Sequence, residues 1–325
     1  MLALAPMVGV TDAAYRRIIA KYGKPDVMWT GFVPVNGLCS AGLKRLIHDL
    51  GRSEAEHPIV AQVYGCEPQD FRAAARLIAE LGFDGVDINM GCPAREVEKR
   101  KAGAALMQTP QLAQDIVAAA KEGAGGLPVS VKTRVGYQDD EIDQWLGCLL
   151  EARPAAITIH ARARGEAYNH PARWDAVARA AALAREVQAA GEERTLIIGN
   201  GDVQSTSEAR QRAAESGCDG VMIGRRILGD PWLFNERRNK NELAVLEILD
   251  VMLEHTATFI ELYDGIKPLE LMKKHLKAYA HGFEGAPQLR AGLMRAKTYA
   301  EMQAVTAQFS RQSGETQLAL SATCG

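Results

Sequence analysis

Gly85-Val86-Asp87-Ile88-Asn89-Met90-Gly91-Cys92-Pro93 decides how this chain is read. An apolar run of strand length stops at a glycine- and proline-bounded turn, and the turn carries one cysteine. A strand that ends this way presents its thiol at the mouth of a sheet or barrel, where chemistry usually sits. Working outward, seven more runs of the same kind appear: Leu2 to Met7, Val27 to Phe32, Ile59 to Tyr64, Val129 to Thr133, Ala156 to His160, Thr195 to Asn200 and Gly220 to Gly224. Between them lie stretches with apolar residues at three- and four-residue spacing, such as Pro68 to Leu81, Pro110 to Glu122 and Ser205 to Ser216. Eight alternating units suit a (β/α)8 TIM barrel, an α/β fold, and continuous apolar strands suit a parallel sheet buried on both faces. A doubly wound open sheet competes. The barrel is preferred because polar or glycine positions recur at the C-terminal ends of the runs (Met7, Gln62, Asn89, Lys132, His160, Asn200, Gly224), where a barrel gathers its site.

The pattern changes after Asp230-Pro231-Trp232. From about Asn239 only helical periodicity remains, over Leu243 to Tyr263, Leu269 to Ala280 and Pro287 to Met302. The expected organisation is a barrel over 1–235, a helical domain over 240–313 and a disordered tail over 314–325. With 325 residues, 47% of them hydrophobic, the chain can bury a large core. Its six cysteines (Cys39, Cys66, Cys92, Cys148, Cys218, Cys324) are scattered, which argues against a disulfide framework or a structural zinc site. No metal is expected. No apolar run reaches membrane-spanning length and no signal peptide is visible, so a soluble cytoplasmic protein is expected, with a monomer as the default. A net charge of -2 leaves any nucleic-acid contact to a local basic face.

Four constellations carry chemical content. Gly199-Asn200-Gly201-Asp202 and Gly224-Arg225 follow the seventh and eighth runs, where barrels build phosphate cradles from backbone N–H groups. Lys132 ends an apolar strand; a buried ammonium needs an anion or an electron-rich ring, or it serves as a Schiff-base amine. His160, Arg162 and Arg164 alternate along an extended segment and so share one side, with Tyr168 close behind. Lys273, Lys274 and Lys277 form a basic helical face, which is either a solvated surface or a grip on RNA.

These residues together resemble the tRNA-dihydrouridine synthases. The match runs through Ala5-Pro6-Met7-Val8-Gly9-Val10-Thr11-Asp12, Asn89-Met90-Gly91-Cys92-Pro93, Lys132, His160-Ala161-Arg162-Ala163-Arg164, Gly199-Asn200-Gly201-Asp202 and Gly224-Arg225, and covers nearly the whole chain. The resemblance implies an FMN enzyme that uses NADPH to reduce the C5–C6 bond of particular tRNA uridines. It implies that Pro6, Met7 and Val8 line the flavin, that Gln62 and Lys132 contact its ring with His160 beside them, and that Asn200, Gly201, Asp202, Gly224 and Arg225 hold ribityl and phosphate. It makes Cys92 the proton donor and Asn89 a group that positions the base. Hydride arriving at C6 builds negative charge toward C5, and a thiol with an ordinary pKa of about 8.5 is protonated at neutral pH, ready to donate there. A flipped uridine would then be held by Arg162, Arg164 and Tyr168, with Lys273, Lys274 and Lys277 on the RNA backbone. Gly31 departs from the pattern, since the family commonly has an acidic residue after the threonine at this place. The chain also opens almost directly on its first strand, leaving room for a few residues ahead of Met1.

Three other readings compete. A flavin barrel acting on a free pyrimidine, of the dihydroorotate dehydrogenase type, would need no basic tail. A non-redox lyase would use Lys132 as a Schiff base. A tRNA-binding chaperone would be indifferent to Cys92.

Overall fold

Among the described residues nine strands pair in parallel: β1 (Leu2–Leu4), β2 (Val27–Trp29), β3 (Val33–Pro34), β4 (Ile59–Tyr64), β5 (Gly85–Asn89), β6 (Val129–Arg134), β7 (Ala156–His160), β8 (Leu196–Asn200) and β9 (Gly220–Ile223). They are seen in a computed structural model that describes residues 1–167, 169–187 and 194–323, with side chains as far as Gln312. β1 pairs with both β2 and β9, and β2 with β4, so the sheet closes on itself. The result is the expected TIM barrel. β3 continues β2 after a bulge: Trp29 pairs with Val60 but Val33 with Val63, four residues of one strand against three of the other. The run Val27 to Phe32 is therefore broken at Thr30-Gly31-Phe32, which periodicity alone does not reveal. Inside the ring Ala3, Ala5, Trp29, Ile198 and Met222 pack as one buried cluster.

The covering helices follow from their sequences. Helices Pro68–Glu80 and Pro110–Ala124 each start on a proline, whose fixed φ suits the first turn and whose missing N–H costs nothing there. The first buries Phe71, Ala74, Ala75 and Ile78, the second Ile116, Val117 and Ala120, each along one stripe. They approach so closely that a Cβ on Gly123 would lie 2.0 Å from the Arg72 carbonyl oxygen, so only glycine fits at that contact.

Contacts divide the chain into two units, one of Met1–Ala13 with Pro25–Arg226 and one of Ala14–Lys24 with Ile227–Gly325. Residues 14–24, on the helix Ala13–Tyr22 that follows β1, thus count with the second unit, as does the stretch 227–235. The second unit contains helices Val245–Tyr263, Lys273–Tyr279, Ala286–Arg295 and Tyr299–Thr323. Two expected helices differ in detail. Leu269 to Ala280 opens with a 3₁₀ turn at Leu269–Met272, and Pro287 to Met302 is two helices parted at Ala296-Lys297-Thr298. Lys273 explains the second break. Its ammonium donates to the carbonyls of Leu293 (2.9 Å), Met294 (3.0 Å) and Ala296, the orphan acceptors at a helix C-terminus. The last helix runs to Thr323 through the segment expected to be disordered.

At the centre of this unit His255 and His275 are fully buried with Tyr15 and Tyr279. The His255 ring stacks on Tyr15 at 4.6 Å, and the His275 ring meets Tyr15 edge-on at 4.8 Å and His255 at 4.7 Å. No ring nitrogen of either histidine has a hydrogen-bond partner among the described residues. No helix among the described residues is long and apolar enough to cross a membrane.

Candidate active site

The C-terminal ends of β4 to β9 bring the polar residues of the strands together. Register sets Gln62 opposite Asp87, Asn89 opposite Lys132, His160 opposite both Arg134 and Asn200, and Asn200 opposite Met222. Lys132 Nζ donates to Asn200 Oδ1 at 3.1 Å, its only hydrogen-bond partner among the described residues. Asn200 in turn donates from Nδ2 to the Met222 carbonyl at 2.8 Å, which fixes the amide with its oxygen toward the lysine. Burial holds the Lys132 ammonium down to about 8, helped by the charge of Arg134 and opposed by Asp87. His160 is held well below its usual range by burial and then by the charges of Lys132, Arg134, Arg162 and Arg225. It is a neutral imidazole at neutral pH.

Asp202 ties the cations together. Its carboxylate accepts from Arg162, from the Ala172 N–H at 3.1 Å and from Arg225 at 3.0 Å. Burial would raise the Asp202 pKa, but the Arg162 and Ala172 hydrogen bonds and the two guanidinium charges outweigh it and hold the group below the usual carboxylate range. Asp202 (φ 56) follows Gly201 (φ 143), which lies beside His160. Gly224 lies beside Ala5 and Met7, so the ends of β1 and β9 adjoin. In the loop after β1 Met7 and Thr11 grip each other: the Met7 N–H donates to Thr11 Oγ1 and the Thr11 N–H to the Met7 carbonyl, both at 2.9 Å. Pro6 and Met7 are partly buried and Val8 is 59% exposed. A Cβ on Gly31 would meet Val8 at 3.7 Å, an ordinary contact, so space does not dictate glycine there.

The Cys92 turn is held from several sides. Asn89 Oδ1 accepts from the N–H groups of Gly91 (3.2 Å) and Cys92 (2.9 Å), and Arg134 Nε donates to the Gly91 carbonyl at 2.7 Å. Arg134, 5% exposed, also reaches the Ala163 carbonyl at 3.2 Å. Below the turn the Cys92 carbonyl accepts from the Ala104 N–H at 3.0 Å. A Cβ on Gly103 (φ 63) would come within 2.7 Å of that carbonyl oxygen, so glycine is needed there for both backbone and space. The thiol is partly exposed. Burial pushes its pKa up, with Glu98 adding and the Ala94 backbone hydrogen bond and the Arg134 charge opposing, so it keeps its proton at neutral pH.

The remaining expected residues fall differently. Arg162 is 1% exposed and engaged by Asp202 and by the His170 carbonyl (2.7 Å), which makes it part of the cation cluster. Arg164 pairs with Glu98 through two nitrogens and lies 5.1 Å from the Tyr137 ring centroid, linking the loops after β5, β6 and β7. Tyr168 lies outside the described residues. In the second unit Lys273 is taken up by helix carbonyls, Lys274 is partly buried and Lys277 is exposed. Sequence reasoning passed over Asp87, Ser130, Arg134 and Glu98. For Asp87 the signal was an acid inside an apolar strand run, and for Arg134 its two-residue spacing from Lys132, which sets both on one face.

The model of the family described as dihydrouridine synthase matches residues 3–313 of the chain. The chain belongs to the dihydrouridine synthase family. It is similar to a probable tRNA-dihydrouridine synthase of Staphylococcus aureus strain Mu50, 36% identical over 96% of this chain and 94% of the relative. It is also similar to probable tRNA-dihydrouridine synthase 2 of Bacillus subtilis strain 168, 37% identical over 95% of this chain and 94% of the relative. Among solved structures, an old yellow enzyme homologue from Zymomonas mobilis matches with TM-score 0.50 and 15% identity, covering 74% of this chain and 89% of that one, a likeness of fold. Dihydrouridine synthases are flavin-dependent oxidoreductases, so this chain is an oxidoreductase whose cofactor is a flavin. Its residues fit that group. Lys132 has one neutral partner for an ammonium with three donors, and four cations surround a neutral His160, a field suited to phosphate and to an electron-rich ring.

Proposed function

We propose that this dihydrouridine synthase acts on tRNA, with FMN as its flavin and NADPH as the reductant. Both relatives named above are called tRNA-dihydrouridine synthases, and the positions that carry the resemblance lie at the strand ends. The observation that carries the mechanism is the Cys92 thiol, protonated at neutral pH in a turn pinned by Asn89 and Arg134. FMN, when bound and reduced, would be the source of the hydride that adds to C6 of the uracil ring. The chain supplies the rest. Cys92 Sγ gives its proton to C5, so hydride and proton together saturate the C5–C6 bond and the thiolate is later reprotonated from water. Lys132, with its pKa near 8, offers a cation to the flavin ring without a fixed ion pair. His160, neutral, offers a hydrogen bond and adds no charge.

Arg225 holds the flavin phosphate, and Asp202 orients Arg225. A carboxylate is a poor phosphate ligand, but a fixed one aims guanidinium groups well. Pro6, Met7, Val8, Asn200, Gly201 and Gly224 line the flavin, while Gln62, expected beside them, is fully buried with its amide engaged by Asp87 and Asn89, and Asn89 fixes the Cys92 turn from which the base is met. A tRNA uridine must leave its stack to reach a barrel mouth, and its backbone is held by exposed cations, Lys277, Arg295 and Lys297 among them. Arg164, paired with Glu98, ties together the loops it links.

Cys92→Ala tests the reading. The variant should keep its flavin and its reduction by NADPH but reoxidise with tRNA about 10²- to 10⁴-fold more slowly, the range for a lost general acid. Reoxidation by tRNA at the wild-type rate would remove Cys92 from the chemistry. Reoxidation by free uracil nucleosides as fast as by tRNA would favour a small-pyrimidine enzyme.

A further inference from the structure

Asp87 stands in the middle of β5, fully buried, and the assigned chemistry makes no use of it. Its Oδ1 accepts from the Ser130 hydroxyl and its Oδ2 from Gln62 Nε2 at 2.6 Å. Gln62 Oε1 accepts from Asn89 Nδ2 at 3.0 Å, and Asn89 Oδ1 accepts from the N–H groups of Gly91 and Cys92. The chain therefore runs without a gap from Ser130 through Asp87, Gln62 and Asn89 to the backbone of the thiol-bearing turn. Its polarity is set from both ends. A carboxylate only accepts and a backbone N–H only donates, so each amide between them has one orientation that satisfies its neighbours. A buried polar chain of this kind costs a great deal if one member is left unpaired.

We propose that Asp87 is a positioning residue, which acts through Gln62 and Asn89 to hold the Cys92 turn in the geometry that proton donation needs. The assignment rests on the role given above to Cys92. Without the Asp87 acceptor, the Gln62 amide turns away to find another partner, Asn89 loses its support, and the turn is left to the hydrogen bonds that its carbonyls accept from Arg134 and the Ala104 N–H. The thiol then samples more solvent than its present partly buried position allows. Asparagine at 87 keeps the arrangement, because its oxygen accepts from Gln62 while its nitrogen donates to Ser130, whose hydroxyl accepts as readily as it donates.

The test compares Asp87→Leu with Asp87→Asn in the flavin-loaded full chain. Two readouts are taken: the pH profile of iodoacetamide alkylation at Cys92, followed by peptide mass spectrometry, and the rate of flavin reoxidation by tRNA. Asp87→Leu should move the Cys92 alkylation midpoint down toward that of an exposed thiol, about 8.5. It should also slow reoxidation by about 10- to 100-fold, the cost of a small misplacement. Asp87→Asn should stay near wild type in both. Should Asp87→Leu fail to fold or to hold flavin, Gln62→Met cuts the chain one link further along and is judged on the Cys92 midpoint alone. A wild-type midpoint in Asp87→Leu, or in Gln62→Met when it stands in, would overturn the proposal. So would an Asp87→Asn variant as impaired as Asp87→Leu, since that would make charge the operative feature. A wild-type enzyme that tRNA fails to reoxidise would count against the tRNA reading, while the alkylation profiles would still judge Asp87.

Discussion

Acidification should destabilise the helical unit through the buried pair His255 and His275. The groups facing the pair are the Tyr15 and Tyr279 rings, with Lys274 on the same helix as His275 and Asp230 near both tyrosines. Burial holds His275 down to about 3, with the Lys274 charge adding, and holds His255 well below its usual range, with His275 adding. In the unfolded chain each histidine titrates near 6.5. Below that pH the unfolded state binds protons that the folded state refuses, so stability is full above the unfolded pKa and falls as the pH drops through 6.5 toward the folded value. The loss accrues at about 1.4 kcal/mol per pH unit for each histidine. His275 alone should cost about 2 kcal/mol by pH 5, and His255 pushes the same way, against a typical total stability of about 5–15 kcal/mol. Urea unfolding at pH 7.5 and 5.0, followed by circular dichroism and by amide protection in Val245–Tyr263, would measure it. His275→Phe keeps the ring contacts and removes one titration, so its urea midpoint should fall less with acid than that of the wild type. If both midpoints fall equally, the titration of His275 is not a source of the acid sensitivity.

Arg225→Ala should weaken flavin retention by about 10- to 100-fold, the worth of a charge-assisted hydrogen bond, and Asp202→Asn should weaken it less because Arg225 stays but loses its anchor; fluorimetric titration of flavin into deflavinated protein would show it, and equal affinities would exclude a phosphate role. In the helical unit, Lys277→Glu with Arg295→Glu and Lys297→Glu should weaken tRNA binding and flatten its salt dependence without loss of thermal stability, while Lys273→Met should lower the melting temperature of the unit by stranding helix carbonyls; mobility shifts across a salt series and melting curves separate the two, and a triple variant with a wild-type salt slope would place the RNA contacts elsewhere.

The strands were legible in the sequence because a parallel barrel buries both faces of each strand, which writes eight apolar runs punctuated by turns. Cys92 was legible for the same reason, as a polar exception at a strand end. The bulge at Thr30-Gly31-Phe32 was not, since it is a matter of pairing register between β3 and β4 and leaves no mark on periodicity. Nor could spacing reveal what each cation does. Arg162, Arg164 and Lys273 all read as basic residues available to RNA. Tertiary structure gives Arg162 to Asp202, Arg164 to Glu98 and Lys273 to the end of a helix 20 residues away, because a charge is assigned by whichever opposite group or orphan carbonyl the fold brings within reach. The chain from Asp87 to the Cys92 turn shows the same division. The sequence determined that an acid lies within an apolar strand and must be satisfied there; only the closing of β4, β5 and β6 side by side decided that Gln62 and Ser130 satisfy it.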